Sequence, residues 1–479
     1  MLYAVSCAPG ALWQDSGLIQ YRVWHGDIEG FLGLALAHPL YYLVAIGAKH
    51  VPLGEFGHRV NCVSAAAGAI AVANLYLLVR LWLGKEFPAA VAAATLALSH
   101  TFWQHASIAE TYTLWAALFL AELIVLLRYT QTRSAGYLYL LALLNGLAIA
   151  VHMLAIIPLV CYIVLVLLLL ARRRLRGRDV ACIAGSWILG ALPYAYLIVR
   201  DMAHSGDILG TFASAAFGSR WRADVLNTSL SWKIVKESVL LLGLNFPTPN
   251  VLLFFVGVCA LRRIGVALAF RAIVLVLLAL FFIFAFRYTI PDRYAFFIPF
   301  YCLAAAMIGL GSQAVRSRFP GKVAPIVIGA FVLLPVIGYV LAPALAQRLD
   351  VPIGIRHDVP CRNDYEYFLR PWKTGYAGAD RFAREALEAV ERDAIIWADI
   401  TTAGPLLYVQ EVQGIGSDVN IVSSTVCSEE APSVTEPMIE ILFDHCPIYV
   451  VSARPGYCPA FILNRYHLVK TGVLWRLVE

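Results

Sequence analysis

The chain has 479 residues, 60% of them hydrophobic and 14% charged, with a mean hydropathy of +0.73. That apolar content excludes a soluble globular protein and points to a polytopic membrane protein. The net charge of +6 would suit a nucleic-acid partner in a soluble chain, but here Lys and Arg sit in short loops between apolar runs. This is the charge bias of membrane topology, so no nucleic acid is expected.

Residues 1–9 offer less than half of what a span needs, and they lack the charged start and cleavage site of a signal peptide. A first helix cut short or a late start is expected. Trp13-Gln14-Asp15-Ser16-Gly17 follows, a carboxylate just ahead of the apolar segments. On the non-cytoplasmic side, Asp15 is a natural general base for chemistry on a lipid-carried substrate. Residues 31–48 are nearly long enough to span, but His38-Pro39 interrupts their middle. Proline removes a helix donor and clashes with the preceding turn, so two short surface helices are expected within a first outer loop, residues 10–58.

Candidate spans then run over about 59–82, 88–103, 111–128, 137–152, 154–171, 180–199, 237–261, 266–286, 294–313 and 323–344, giving about ten or eleven transmembrane helices in a domain of residues 1–345. Arg80 with Lys85, Arg128 with Arg133, the basic run from Arg172 to Arg178, Arg262 with Arg263, and Arg316 with Arg318 and Lys322 fall in alternate loops. All belong on the cytoplasmic side. Residues 1–58, the loop around His105, the His152 turn, residues 200–236, the Asp292 turn and everything after residue 345 then face out.

Beyond residue 345 the apolar runs shrink to strand length, and a soluble extracytoplasmic domain of about 130 residues, 346–479, is expected. Helices over about 384–391, 402–412 and 437–443 alternate with strands over about 394–398, 420–423, 448–452 and 473–478, a small α/β arrangement. Asp399-Ile400-Thr401-Thr402 reads as a helix N-cap or a binding edge. Cys361, Cys427, Cys446 and Cys458 fit no zinc spacing; they are free thiols or two disulfides in any of three pairings. No internal repeat of the kind common in secondary transporters is evident.

Polar residues gather at the outer helix ends. The stretch from Ala37 to Tyr41 and the one from His58 to Asn61 offer basic groups, His38, His58 and Arg59, to a phosphate, or anchor the helix starting near Arg59 at the interface. The stretch from Thr101 to Thr113 packs His105, Glu110 and several aromatics into one turn; the alternative is an aromatic belt with Glu110 at a helix start. Arg287 and Arg293 flank Asp292, with Tyr294 next; two guanidiniums suit bidentate phosphate binding, or they snorkel and pair with Asp292. His152, with Asn145 before it, is placed to donate into the same cavity, while Glu122 lies mid-span as either a functional group or a structural partner.

Taken in order, Trp13-Gln14-Asp15-Ser16-Gly17, Ala37-His38-Pro39-Leu40-Tyr41, Arg59-Val60-Asn61, Thr101-Phe102-Trp103 and Ala109-Glu110-Thr111-Tyr112-Thr113-Leu114 resemble a family of polytopic proteins related to protein O-mannosyltransferases. That family, formerly a domain of unknown function, is similar to a branch of the C-type (GT-C) glycosyltransferase superfamily. The resemblance continues through Gly146-Leu147-Ala148 with His152, Asp292-Arg293-Tyr294, and the stretch Leu406 to Val412 with Gly414. Leu18 stands where the family often has Glu, and the His-Pro loop is shortened to His38-Pro39-Leu40-Tyr41-Tyr42.

The resemblance implies a GT-C-like fold and an enzyme that moves a sugar from a polyprenyl-phosphate carrier to a hydroxyl on protein, glycan or lipid. It also implies an essential acidic residue in the first outer loop, here Asp15. The expected reaction inverts configuration, with Asp15 as base and Arg293, together with Arg59 or His152, holding the leaving phosphate. Glu110, His38, His105 and Tyr294 complete the expected substrate-binding set. No cofactor beyond the lipid-linked donor is expected, and no clustered carboxylates argue for a divalent metal. The expected location is a bacterial inner membrane, with the site and the C-terminal domain facing the periplasm. The rival readings are a transporter or lipid flippase using Glu122 and the outer histidines, and a non-catalytic scaffold.

Overall fold

The computed structural model describes residues 1–52, 54–218, 227, 229–263, 265–290, 292–354, 356–357, 359–423 and 436–479. Three short helices precede the bundle: α1 (Leu2–Ser6), α2 (Gln14–His25) and α3 (Pro39–Ile46). His38 takes a left-handed φ of 52° as the N-cap of α3, and Pro39 follows at the first helical position, where a missing N–H leaves no bond unmade. A 3-10 turn over Leu34–Leu36 lies on the other side, so residues 31–48 form short pieces rather than a span.

The bundle comprises α4 (Phe56–Leu83), α5 (Glu86–Ala97), α6 (His100–His105), α7 (Tyr112–Thr132), α8 (Gly136–Val151), α9 (Ile156–Ala171), α10 (Gly177–Ser205), α11 (Ile208–Phe217), α12 (Trp232–Asn245), α13 (Leu252–Ala260), α14 (Leu268–Arg287), α15 (Ile298–Arg318) and α16 (Val323–Arg348). Each expected span is built from helix, two of them, 88–103 and 237–261, in pieces. Among the described residues, seven helices are long and apolar enough to cross a membrane: α4, α7, α9, α10, α14, α15 and α16. Two expected spans are shorter, α5 with 12 residues and α8 with 16. At a rise of ~1.5 Å per residue, α5 extends only about 18 Å. The expected span 237–261 is instead α12 and the Pro249–Ala260 segment bent by 108°, because Pro247 and Pro249 interrupt the backbone ladder.

Helix α15 is the central post, its apolar stretch wholly enclosed by neighbours, whereas α10 and α16 expose Leu189, Val199, Ile337 and Leu341 outward. Small residues let backbones touch, as expected where lipid gives no hydrophobic reason for helices to associate. A Cβ on Gly190 of α10 would stand 2.8 Å from the Leu147 nitrogen of α8, and one on Gly257 of α13 would stand 3.0 Å from the Gly311 nitrogen of α15. The basic loops meet at shared ends: the Arg316 guanidinium lies 5.1 Å over the Phe87 ring, and the Tyr139 hydroxyl donates to Asp179 at 2.7 Å.

After α16, which runs past the expected boundary to Arg348, come α17 (Asp364–Leu369), α18 (Gly378–Glu388), α19 (Ile400–Gln413), α20 (Glu436–Phe443) and α21 (Ala460–Arg465). Strands β1 (Ile395–Trp397), β2 (Asn420–Val422), β3 (Ile448–Val450), β4 (His467–Thr471) and β5 (Leu474–Val478) form one sheet in the order β2-β1-β3-β5-β4. β1 pairs parallel with β2 and β3, with Ile395 opposite Asn420 and Ile448; β5 runs antiparallel to β3 and β4. The wholly buried runs of β1 and β3 are what a covered parallel core requires. Helices α17 and α21 and strand β4 were not expected, and α18 starts before the expected Arg384 because Asp380, Arg381 and Arg384 mask the buried stripe of Phe382, Ala383, Ala386 and Leu387. Cys361, Cys446 and Cys458 are free thiols, and Cys427 lies outside the described residues.

Candidate active site

Asp15 sits in the first turn of α2, where the unpaired amides of a helix start favour a carboxylate. The turn is strained: Gln14 has a φ of 54°, left-handed for a residue with a side chain. Asp15 keeps an exposed side chain, yet the protein around it raises its pKa above the ordinary carboxylate value. Ser16 donates to Glu110 at 3.3 Å, tying this turn to the loop between α6 and α7. Ser64 of α4 fixes Glu110 from behind, accepting from its N–H and donating to its carbonyl, both at 2.9 Å.

Burial, followed by the charges of Asp15 and Asp292, pushes the Glu110 carboxyl well above its usual range. Asp292 is pushed up to about 7 by burial and then by Asp15. Asp15, Glu110 and Asp292 therefore share one electrostatic neighbourhood, drawn from the first outer loop, the second, and the turn before α15. Carboxylates held together cannot all ionise at neutral pH. The sequence reading cast Asp292 only as a partner for arginine; its place beside Asp15 was missed.

The histidines form an aromatic wall with tyrosines. His38 stacks on His152 at 5.0 Å, Tyr112 lies 5.1 Å from His152 and 5.3 Å from His105, and His105 lies 5.5 Å from Tyr294. His38 is fixed through Nδ1 to the Val151 carbonyl and His105 through Nδ1 to the Thr101 carbonyl, both at 2.7 Å. Burial lowers both His38 and His105 to about 4, and lowers His152 well below its ordinary value. At neutral pH these rings are uncharged hydrogen-bonding groups.

The two expected guanidiniums are engaged elsewhere. Arg59 bonds the Val51 carbonyl and lies 5.5 Å over the Phe56 ring. Arg293 pairs with Glu237 of α12 at 2.9 Å and donates to Ser238 and the Phe286 carbonyl. The buried cation beside the site is Arg22, unanticipated because α2 itself was not foreseen. It donates to the Tyr42 hydroxyl at 2.7 Å and the Ala37 carbonyl at 3.3 Å, pairs with Asp27 at 3.3 Å, and lies 3.8 Å over the Tyr42 ring. Tyr42 in turn lies in the fields of Asp15 and Glu110. Seven residues separate Asp15 from Arg22, two turns along one face.

Lys373 is a second missed cation, 2% exposed, with Nζ donating to the Arg370 carbonyl at 2.6 Å. Burial, then Arg370, lowers it to about 7. Among the described residues, no group of three or more His, Cys, Asp or Glu is arranged to hold a metal ion. Glu122 is a structural hub: it accepts from Tyr162 at 2.9 Å and Asn145 at 3.3 Å, and Asn145 accepts from Trp187 at 3.0 Å, joining α7 to α8, α9 and α10.

Comparison with known proteins adds the following. Residues 34–176 match the family model described as "Protein O-mannosyl-transferase TMEM260 N-terminal domain". That stretch contains His38, Arg59, His105, Glu110 and His152, while Asp15 lies before it. No curated protein sequence matches the chain. ArnT from Cupriavidus metallidurans bound to undecaprenyl phosphate superposes with a TM-score of 0.60 at 13% identity, over 99% of this chain and 95% of that one. The apo form of that protein gives 0.61, with the same identity and coverage. Archaeal oligosaccharyltransferase AglB from Archaeoglobus fulgidus gives 0.46 at 12% identity, over 86% of this chain and 61% of that one. The chain is thus a polytopic helical membrane protein with the GT-C fold of ArnT and a segment, residues 34–176, that matches the N-terminal domain of the protein O-mannosyl-transferase TMEM260 family.

Proposed function

We propose that this protein is a glycosyltransferase that takes a sugar from a polyprenyl-phosphate carrier and gives it to a hydroxyl of a protein, glycan or lipid acceptor, with inversion. The observation that carries the reading is the solvent-open Asp15 carboxylate at the head of α2, flanked by Glu110 and Asp292. It is supported by a fold shared with a protein crystallised with undecaprenyl phosphate. Alternation of the basic loops supports an outer-face site, which we assign to the periplasmic side of a bacterial inner membrane, beneath a C-terminal domain of residues 346–479.

Asp15 accepts the acceptor hydroxyl's proton as that oxygen bonds to the anomeric carbon, while the bond from that carbon to the phosphate oxygen breaks on the opposite face. One base suffices, since the leaving group is already a stabilised anion. Asp15 is the member to ionise, because its side chain is exposed and no neighbouring carboxylate adds to its shift, unlike Glu110 and Asp292. Glu110, buried and repelled by both neighbours, stays protonated and donates a hydrogen bond to sugar or phosphate. Arg22 supplies the fixed positive charge, and neutral His38, His105 and His152, with Tyr294, line the sugar pocket. In this reading Arg293 and Arg59 shape the walls of the site through Glu237 and Val51.

The test is release of free polyprenyl phosphate from a panel of labelled polyprenyl-phosphate hexoses and pentoses by the purified protein, with hydroxyl-bearing peptides, glycans and lipids as acceptors. Acceptor-dependent release from one donor is expected. No release from any donor by folded protein would reject the reading and leave the scaffold alternative.

A further inference from the structure

Asp15 lies outside the stretch matched to the family, and the element packed most intimately against it comes from the other end of the chain. Helix α19 lies along α2. A Cβ on Gly404 would stand 2.8 Å from the Leu18 nitrogen, 2.9 Å from the Gly17 carbonyl carbon and 3.1 Å from the Gln14 oxygen, so the two backbones meet through glycine. On the α2 side, a Cβ on Gly17 would strike the Leu12 carbonyl oxygen and come within 3.2 Å of the Gly404 carbonyl carbon. The same face of α19 continues at Tyr408 and Glu411, four and seven residues on. The Tyr408 hydroxyl accepts from the Gly57 N–H at 2.7 Å and donates to Glu55, and Glu411 meets Tyr21 at 3.2 Å and His25 at 2.6 Å.

The other flank of Asp15 is held by the same C-terminal region. The Trp13 indole N–H donates to the Tyr376 hydroxyl at 2.5 Å, its ring packs on Phe382 at 5.4 Å, and the Arg362 guanidinium lies 5.8 Å over it. Between these holds lies Gln14 in its left-handed conformation, which persists only where the surroundings over-determine it.

We infer that α19 is a positioning element of the catalytic machinery: the Gly17–Gly404 contact sets how far α2 stands from the C-terminal domain, and so where Asp15 presents its carboxylate. Asp15-Ser16-Gly17 then divides its work among a base, a tether to Glu110 and a docking point for the outer domain. That domain is part of the active site rather than only a reader of acceptors. The inference rests on the transferase reading for its kinetic consequence and on packing alone for its structural one.

Gly404→Ala and Gly404→Leu test it, each by two measurements on the full-length protein. Hydrogen exchange should accelerate in residues 13–25 and leave the bundle helices unchanged. Transfer should show a kcat loss on the order of 10–100-fold for the leucine variant and less for alanine, at a donor KM within about twofold of wild type, because misplacing a reacting group by about 1 Å has that scale of effect. A loss of packing without a positioning role would not produce that split. Unchanged exchange in 13–25 in both variants overturns the inference. So does unchanged kcat in a wild type that transfers sugar. If the leucine variant unfolds, the alanine variant carries the test. If wild type transfers no sugar, the transferase reading fails, and faster exchange confined to 13–25 still supports α19 as the element that places Asp15.

Discussion

Glu122 is the residue on which the enzyme and transport readings differ most. It is fully enclosed in the bundle, with Oε1 accepting from Asn145 and Oε2 from Tyr162. Replacement by alanine strips both acceptors. Tyr162 loses its hydrogen-bond partner, while Asn145 keeps the Ala155 carbonyl at 3.2 Å and the Trp187 donor. Stranding a buried donor costs about 1–3 kcal/mol, and deleting buried methylenes adds a cavity penalty, so a total of roughly 3–5 kcal/mol is expected. Glu122→Gln keeps the shape and one acceptor, and the Tyr162 hydroxyl can turn to accept from the new amide, which limits the loss to about 1 kcal/mol. The assay is thermal unfolding of detergent-purified variants, followed by sugar transfer per folded molecule. Glu122→Ala should lower the melting temperature by several degrees, and Glu122→Gln should keep both stability and specific transfer near wild type. A Glu122→Gln protein that melts normally but transfers nothing would refute the structural assignment and revive a proton-handling role.

Three further outcomes are expected. Asp292 titrates at about 7 when folded and 3.8 when unfolded, so the folded state keeps a proton that the unfolded chain releases. Stability should therefore fall as pH rises between those values, and Asp292→Asn should flatten that part of a melting-temperature profile. Glu237→Ala should cost about 1–3 kcal/mol, because Arg293 loses its counterion yet keeps Ser238 and the Phe286 carbonyl, while Arg293→Met should cost less because Glu237 is partly exposed, as unfolding measurements will show. The Cys7 and Cys62 thiols are close neighbours, both free, so mild oxidation should join them in a linkage seen by peptide mass spectrometry. Two freely alkylated thiols after oxidation would contradict the packing of the N-terminal segment on α4.

Much of the architecture was readable because its signals are local. Apolar length marked the spans, and Pro39 marked the break in the first loop. Asp399 was named as an N-cap, and its side chain accepts from the Thr402 N–H at 3.2 Å. What escaped depends on partners distant in sequence. Nothing near Arg293 announces Glu237, and nothing near Arg59 shows that its guanidinium turns back to Val51. Asp292 looked like a counterion because two arginines flank it, yet Asp15, far earlier in the chain, is the charge that perturbs it. Helix α2 was hidden by its 12-residue length and polar composition, and Arg22 was hidden with it. A span's apolar content also says nothing of a bend, so the 108° break after α12 had to be seen.

The most direct test of the central claim is the rate of sugar transfer from the lipid-phosphate donor by wild type and Asp15→Asn, matched for folding by melting temperature and for donor binding. A neutral amide keeps the shape and loses the base, so transfer should fall by about 100-fold or more while donor affinity is retained. Equal rates would remove Asp15 from the chemistry and with it the mechanism built around the head of α2.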